Sequence, residues 1–338
     1  MIKLKDIIVV LLFMVITYSC TDNLFNEEEG YLNTFQSFWD ILNERYVFFK
    51  EKSVDWDAVY ENYYTKFEKV TSDQEAKKLY QEIIDLFHDR HVRISINNDY
   101  GISYESELEV PEISFGMVYG FYYLTNLKEY DSLHLGQLPN KIAYLRVLNN
   151  FKGISGSSLP LSDYNYENGF VLDLRDCIGG YTTGLELLDI FIDATRIAYY
   201  EQYRNGINRQ DFTRKFSVVL NGKGIISNSI PKVVLINDNT YSMGNFMASV
   251  LKDLTNSTFV GQKTGGGGGT INSVYLPNGW GLTYTFTKIY NLEGQTIEDG
   301  INPDVEVIRN NDFWENEHRE TGIDPQLEKA LEVLQRND

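Results

Sequence analysis

The stretch KVVLINDNTYSMGNF, Lys232–Phe246, decides the fold. Lys232–Ile236 is a short run dominated by apolar, β-branched residues, which reads as a buried strand. The polar residues Asn237–Thr240 read as a turn, and Met247 to Leu254 carry a helical pattern. An earlier stretch, VLDLRDCIGGY (Val171–Tyr181), has the same form: a buried strand, a Gly179–Gly180 turn, then Leu185, Leu188, Ile190 and Phe191 at helical steps. Ile142–Val147, Phe170–Leu174 and Thr258–Gly261 are further short apolar runs. Strands alternating with helices predict βαβ units and a largely parallel sheet. Leu282–Ile289 alternates more strictly and predicts an antiparallel addition. The chain closes on a helix with Asp324 as N-cap, Pro325 at its first position, and Leu327, Ala330, Leu331 and Leu334 as its buried stripe.

Working outward to the N-terminus, Tyr31 to Phe87 is helical in pattern. Leu32, Phe35, Trp39, Leu42 and Tyr46 mark one helix, and Asp55–Trp56–Asp57 starts a second. Thr71–Ser72–Asp73 with Glu75 is a capping signal for a third. Residues 1–19 lie outside the fold: Lys3 and Lys5 precede an apolar run, Ile7–Ile16, of signal-peptide length. Ser19 before Cys20 resembles a bacterial lipobox, which implies cleavage there and lipidation of Cys20; an ordinary secretory signal is the alternative. Thr21–Gly30 then reads as an acidic tether. The expected organisation is signal peptide 1–19, tether 20–30, helical domain 31–97, mixed connecting segment 98–140, and an α/β catalytic domain 141–338.

The chain of 338 residues carries 30 Lys+Arg against 48 Asp+Glu, a formal net charge of −18. That balance argues against nucleic acid as a partner. Two cysteines, Cys20 and Cys177, exclude a disulfide framework, and four histidines argue against a histidine-rich metal site. The glycine run Gly265–Gly269 is not a phosphate-binding loop, because no Lys-Ser/Thr follows it. It reads as a mobile or close-approach loop, and nothing in the sequence calls for a cofactor.

Three segments could carry chemistry. Glycines at the Gly179–Gly180 turn would let main-chain amides face a ligand, although a tight strand-to-helix turn needs glycine for steric reasons alone. Ser242 stands at a turn-to-helix junction that suits a nucleophile, because the following amide, that of Met243, can stabilise an oxyanion. A serine there is more commonly an N-cap. In LFHDRHV (Leu86–Val92), His88 and His91 are the best-placed bases, both ending a helix as the chain turns extended.

These segments, in this order, resemble the C-terminal processing peptidases and their relatives, the tricorn protease core and the interphotoreceptor retinoid-binding repeats. Leu86–Val92 resembles the family's L-x-D-x-H segment and Ile142–Phe151 its I-x-Y-x-R-x-x-x-F strand. Asp173-Leu-Arg with Gly179-Gly180 resembles its D-L-R-x-N-x-G-G turn. Ser242, with Asp253 following, occupies the nucleophile position. Gly261–Thr264 with the glycine run resembles V-G-x-x-T-x-G, and Gly294–Asp304 resembles G-x-x-I-E-x-x-G-I-x-P-D.

The resemblance implies a ClpP/crotonase-like α/β core behind an N-terminal helical domain. It also implies a serine endopeptidase acting on a polypeptide substrate. The lysine of Ser–Lys members would fall at Gly267, and Lys263 is four residues early, so a Ser–Lys mechanism is not expected. The tricorn-like branch uses His and Glu, and His91 and Glu298 match them. The implied site is Ser242 as nucleophile, His91 as base, Glu298 in support, and the amides of Gly179 and Met243 as oxyanion hole. Arg90 stands where that branch has a serine, and Asn245 where many members have an acid. Residues 97–140 leave no room for the usual PDZ domain. The implied location is the bacterial cell envelope, with the chain held to the membrane through Cys20; no oligomeric state is implied. A binding lipoprotein on the same fold, with no catalysis, is the competing reading.

Overall fold

A computed structural model describes residues 30–96, 99–104, 124–130, 132–148, 159–180, 184–308 and 324–336. The signal segment, Cys20 and the tether before Gly30 lie outside the described residues, as do 105–123 of the connecting segment.

Three helices open the chain: α1 (Tyr31–Arg45), α2 (Trp56–Phe67) and α3 (Asp73–Asp85). Their starts follow the capping chemistry of the sequence. Asp55 accepts from the Ala58 amide, and Ser72 accepts from the Glu75 amide while Glu75 accepts from Thr71. The helices bury an aromatic cluster that includes Phe35, Phe38, Tyr46, Phe48, Trp56, Phe67, Tyr80 and Phe87.

The core sheet has seven strands in the order β14-β10-β9-β6-β5-β4-β3. They are β3 (Thr125–Tyr130), β4 (Leu133–Leu138), β5 (Ile142–Val147), β6 (Gly169–Asp173), β9 (Lys232–Ile236), β10 (Thr258–Gly261) and β14 (Val305–Glu306). β5, β6, β9, β10 and β14 run parallel, while β4 and β3 add antiparallel. Strands β5, β6 and β9 are buried throughout, which explains their continuous apolar runs. One face packs on α4 (Gly184–Leu188) and α5 (Met243–Leu254), and the other on α6 (Pro325–Gln335).

Two smaller sheets complete the fold. β1 (Arg93–Ile96) and β2 (Asp99–Ser103) join β11 (Ile271–Tyr275) and β12 (Gly281–Thr285). β7 (Arg196–Tyr203), β8 (Phe216–Leu220) and β13 (Thr287–Tyr290) form the third. The stretch Leu282–Ile289 therefore contributes to two sheets, broken at Phe286. Strand pairing also crosses the chain boundaries expected at 97 and 140. Leu276, Trp280, Leu282 and Tyr284 close the aromatic core of the helical layer, and β3 and β4 widen the core sheet. The periodicity of each strand is local, but its choice of partner is not.

A buried charge network anchors the end of β6. Arg175 donates to both oxygens of Asp173 and also pairs with Asp324, the N-cap of α6. Burial alone would raise the Asp173 carboxyl; Arg175, Arg146 and the Tyr144 hydroxyl override it and bring it down to about 2. Arg175→Ala would take the hydrogen-bonded guanidinium from two buried carboxylates, at a cost of about 3–5 kcal/mol, read as a lowered urea midpoint. Because the folded Asp173 titrates below its unfolded value, its contribution is present above about pH 4 and is lost as pH falls towards 2.

Candidate active site

The site lies beyond the carboxyl ends of β6 and β9, where an open parallel sheet presents its turns. The polar run after β9 is buried and bonded to the turn after β6. Asn237 accepts from the Asp176 amide and donates to its carboxylate. Asn239 donates to the same carboxylate, Thr240 donates to the Leu174 carbonyl, and the Tyr241 amide donates to the Cys177 carbonyl. These bonds hold the two strand-to-helix turns as one unit.

Ser242 ends this unit at φ 53°, ψ −118°, a conformation that costs a non-glycine residue about 1–3 kcal/mol. It heads α5 but makes no side-chain cap bond. Its Oγ lies 3.0 Å from His91 Nε2 instead. The N-cap use of this serine is thereby set aside, and the strained strand-turn-helix geometry is that of a nucleophile elbow. The Ser242 amide donates to the Gly266 carbonyl, so the glycine run braces the elbow from behind. At Gly266 (φ 83°) a Cβ would overlap the Glu298 carbonyl oxygen. The run is thus a close-packed strap, which is the close-approach half of its expected role.

Gly179 (φ 93°) lies directly against the elbow: a Cβ there would sit 2.7 Å from both the Met243 nitrogen and Ser242 Cβ. The Gly179 amide is turned towards the Cys177 sulfur. The Met243 amide, first in α5, has no acceptor among the described residues. Burial pushes the Cys177 thiol up to about 12, so it is no nucleophile at neutral pH.

His91 comes from the turn between α3 and β1 and is 3% exposed. Burial lowers it to about 4; Asp89 opposes that shift, and Arg93, Lys52 and Arg90 add to it. The imidazole is therefore neutral near pH 7 and able to accept a proton at Nε2. Its Nδ1 is buried and has no partner among the described residues. His88, the other candidate base, packs its ring on Tyr104 and takes no part.

Glu298 is also buried but does not bond to His91. Its Oε1 pairs with Lys52 Nζ at 2.7 Å, and its Oε2 accepts from the Gly268 amide at 2.7 Å. Burial and the Asp89 carboxylate raise it to about 7, against the pull of Lys52 and Gly268. Burial draws the Lys52 ammonium down, but Glu298 and Asp89 outweigh that and leave it above its ordinary value. Asn245 donates to the Ile297 carbonyl and accepts from Thr264, so it fastens α5 to the segment carrying Glu298.

Sequence reasoning missed Lys52, Asp89, Tyr46 and Tyr241. Lys52 follows α1 and resembles any surface lysine. Asp89 stands in the quoted segment, but only its contacts distinguish it.

Residues 141–307 match the model of peptidase family S41, and residues 28–85 match the tricorn protease C1 domain. A carboxyl-terminal-processing protease of Picosynechococcus is 30% identical over 201 residues, covering 57% of this chain and 45% of the relative. A chloroplastic carboxyl-terminal-processing peptidase of Arabidopsis thaliana is 34% identical over 149 residues, covering 43% of this chain and 28% of the relative. The chain thus spans less than half the length of these curated relatives. A crystal structure from Parabacteroides merdae, assigned as a peptidase, superposes with a TM-score of 0.75 at 24% identity, covering 91% of this chain and 97% of that one.

The His91 value predicts a linkage. Its folded-state value, about 4, lies below the unfolded value near 6.5, so its contribution is present above about pH 6.5 and lost as pH falls towards 4. Glu298 acts oppositely: raised to about 7, it contributes below its unfolded value and loses that contribution as pH rises through 7. The difference between wild type and His91→Leu isolates the histidine: stability at pH 7 minus stability at pH 5 should fall in the variant, where Glu298 is left unopposed. Urea midpoints at the two pH values measure it.

Proposed function

We propose that this chain, which carries a peptidase family S41 domain, is a serine endopeptidase that hydrolyses peptide bonds of proteins or peptides. The observation that carries the reading is the strained Ser242, without a capping bond and 3.0 Å from the neutral, buried His91. A binding protein without catalysis has no use for that strain or for a base held there.

In the proposed reaction Ser242 Oγ attacks the carbonyl carbon and its proton passes to His91 Nε2. As the C–O bond forms, the carbonyl electron pair moves onto oxygen. The oxyanion faces the Met243 amide, the first of α5, where the helix N-terminus favours negative charge. The Gly179 amide joins it once turned from the Cys177 sulfur. Collapse breaks the C–N bond, and the amine leaves with the proton from His91. Water then attacks the acyl-enzyme by the same path. Glu298 acts at one remove: with Lys52 and the Gly268 amide it holds the glycine strap against the elbow.

A fluorophosphonate probe tests this. It should label the wild type at Ser242, and the label should vanish in Ser242→Ala and fall at least about 100-fold in rate in His91→Ala. Labelling that survives Ser242→Ala would sink the assignment. The same proposal has the enzyme lipid-anchored through Cys20 in a bacterial cell envelope. Cys20→Ala should then move the protein from the detergent phase to the aqueous phase of a phase partition; an unchanged distribution would refute the anchor.

A further inference from the structure

The base needs a counter-charge, and Glu298 is poorly placed to supply it. Proton transfer from Ser242 creates an imidazolium in a site where burial already disfavours charge. The charged groups facing His91 are Lys52 from the turn after α1, Arg90 from its own turn, Arg93 from β1, and Asp89. Three are cations. The Tyr241 ring from the β9 turn covers the imidazole, with ring centroids 4.9 Å apart. Glu298 is committed to Lys52 and to the Gly268 amide.

Asp89 is 1% exposed, and its carboxylate is held on every side. Oδ1 accepts from the His91 amide at 2.8 Å and from the Tyr241 hydroxyl at 3.3 Å. Oδ2 accepts from the Tyr46 hydroxyl at 2.8 Å. Tyr46 belongs to the helical layer, and Tyr241 directly precedes Ser242. One carboxylate therefore joins the His-bearing turn, the helical layer and the nucleophile turn. Burial and Asp89 both raise the two phenols, so they remain donors at any working pH.

We propose that Asp89 is the positioning residue of the site: it sets the His91 turn against Ser242 and is the counter-charge of the imidazolium formed during acyl transfer. This rests on the serine-peptidase reading, with Asp89 acting only through His91 and Tyr241.

Asp89→Asn keeps the shape and removes the charge. NMR titration of the His91 imidazole from neutral pH downward should place the wild-type midpoint at about 4. The midpoint should fall by about one pH unit in Asp89→Asn. With a peptide substrate, Asp89→Asn should lower kcat about 100-fold with KM nearly unchanged. The acid limb of its pH profile should move down with the NMR midpoint. A midpoint that stays put in Asp89→Asn overturns the proposal. The titration needs no turnover, so it stands apart from the peptidase reading, which wild-type fluorophosphonate labelling decides. Should Asp89→Asn fail to fold, Tyr46→Phe leaves the charge and releases one carboxylate oxygen, Oδ2. It should lower kcat several-fold with the His91 midpoint unmoved, and an unchanged kcat overturns the positioning role.

Discussion

A serine in a conformation that β-carbon sterics disfavour persists only where its surroundings determine it completely. At Ser242 the turns after β6 and β9 are laced through Asp176, Asn237, Asn239 and Thr240, the glycine strap accepts its amide, and Gly179 leaves no slack on the near side. The strain of about 1–3 kcal/mol is small beside the burial that offsets it. What it secures is direction: Oγ points out of the helix start, where a cap bond would otherwise claim it, and towards a base from another layer.

That layer explains why so much aromatic mass sits far from the chemistry. His91 is 151 residues from Ser242 in the chain, and it reaches the elbow only if the helical layer is seated firmly. The aromatic core does this from one side, closed by β12 from the C-terminal half of the chain. The Arg209 guanidinium, which donates to Asn43 and Asp57, and the Lys288–Glu51 pair fasten the loop after β7 and strand β13 to the same layer. Burying the base has an electrostatic result as well. It keeps the imidazole neutral, and it makes the arrangement of Lys52, Glu298 and Asp89 count for more than it would in water.

Much of this was open to a reader of the chain. The strand runs, the caps at Asp55, Ser72 and Asp324, and the Ser242 junction follow from interactions within a few residues, and the structure places elements there. The partition of charge was not open. Asn245 looked like a lost acid, yet it is a hydrogen-bonded fastener between α5 and the Glu298 segment. Glu298 matched a supporting acid by the family resemblance, yet its carboxylate goes to Lys52 and Gly268. Lys52 carried no local signal, because a lysine after a helix is ordinary until a distant carboxylate turns up 2.7 Å away.

The sequence by itself determined the α/β order of elements, the helical lead-in, the strand-to-helix junction at Ser242 and the short list of candidate bases, since periodicity, capping and glycine sterics act over one or two turns of chain. Only the tertiary structure decided that His91 and not His88 meets Ser242, that Lys52 claims Glu298, and that Asp89 stands between Tyr46 and Tyr241. Those pairings depend on which loops the sheet order brings to one end of the molecule. In a buried site, a charge takes its meaning from the neighbours that packing supplies and not from its place in the chain.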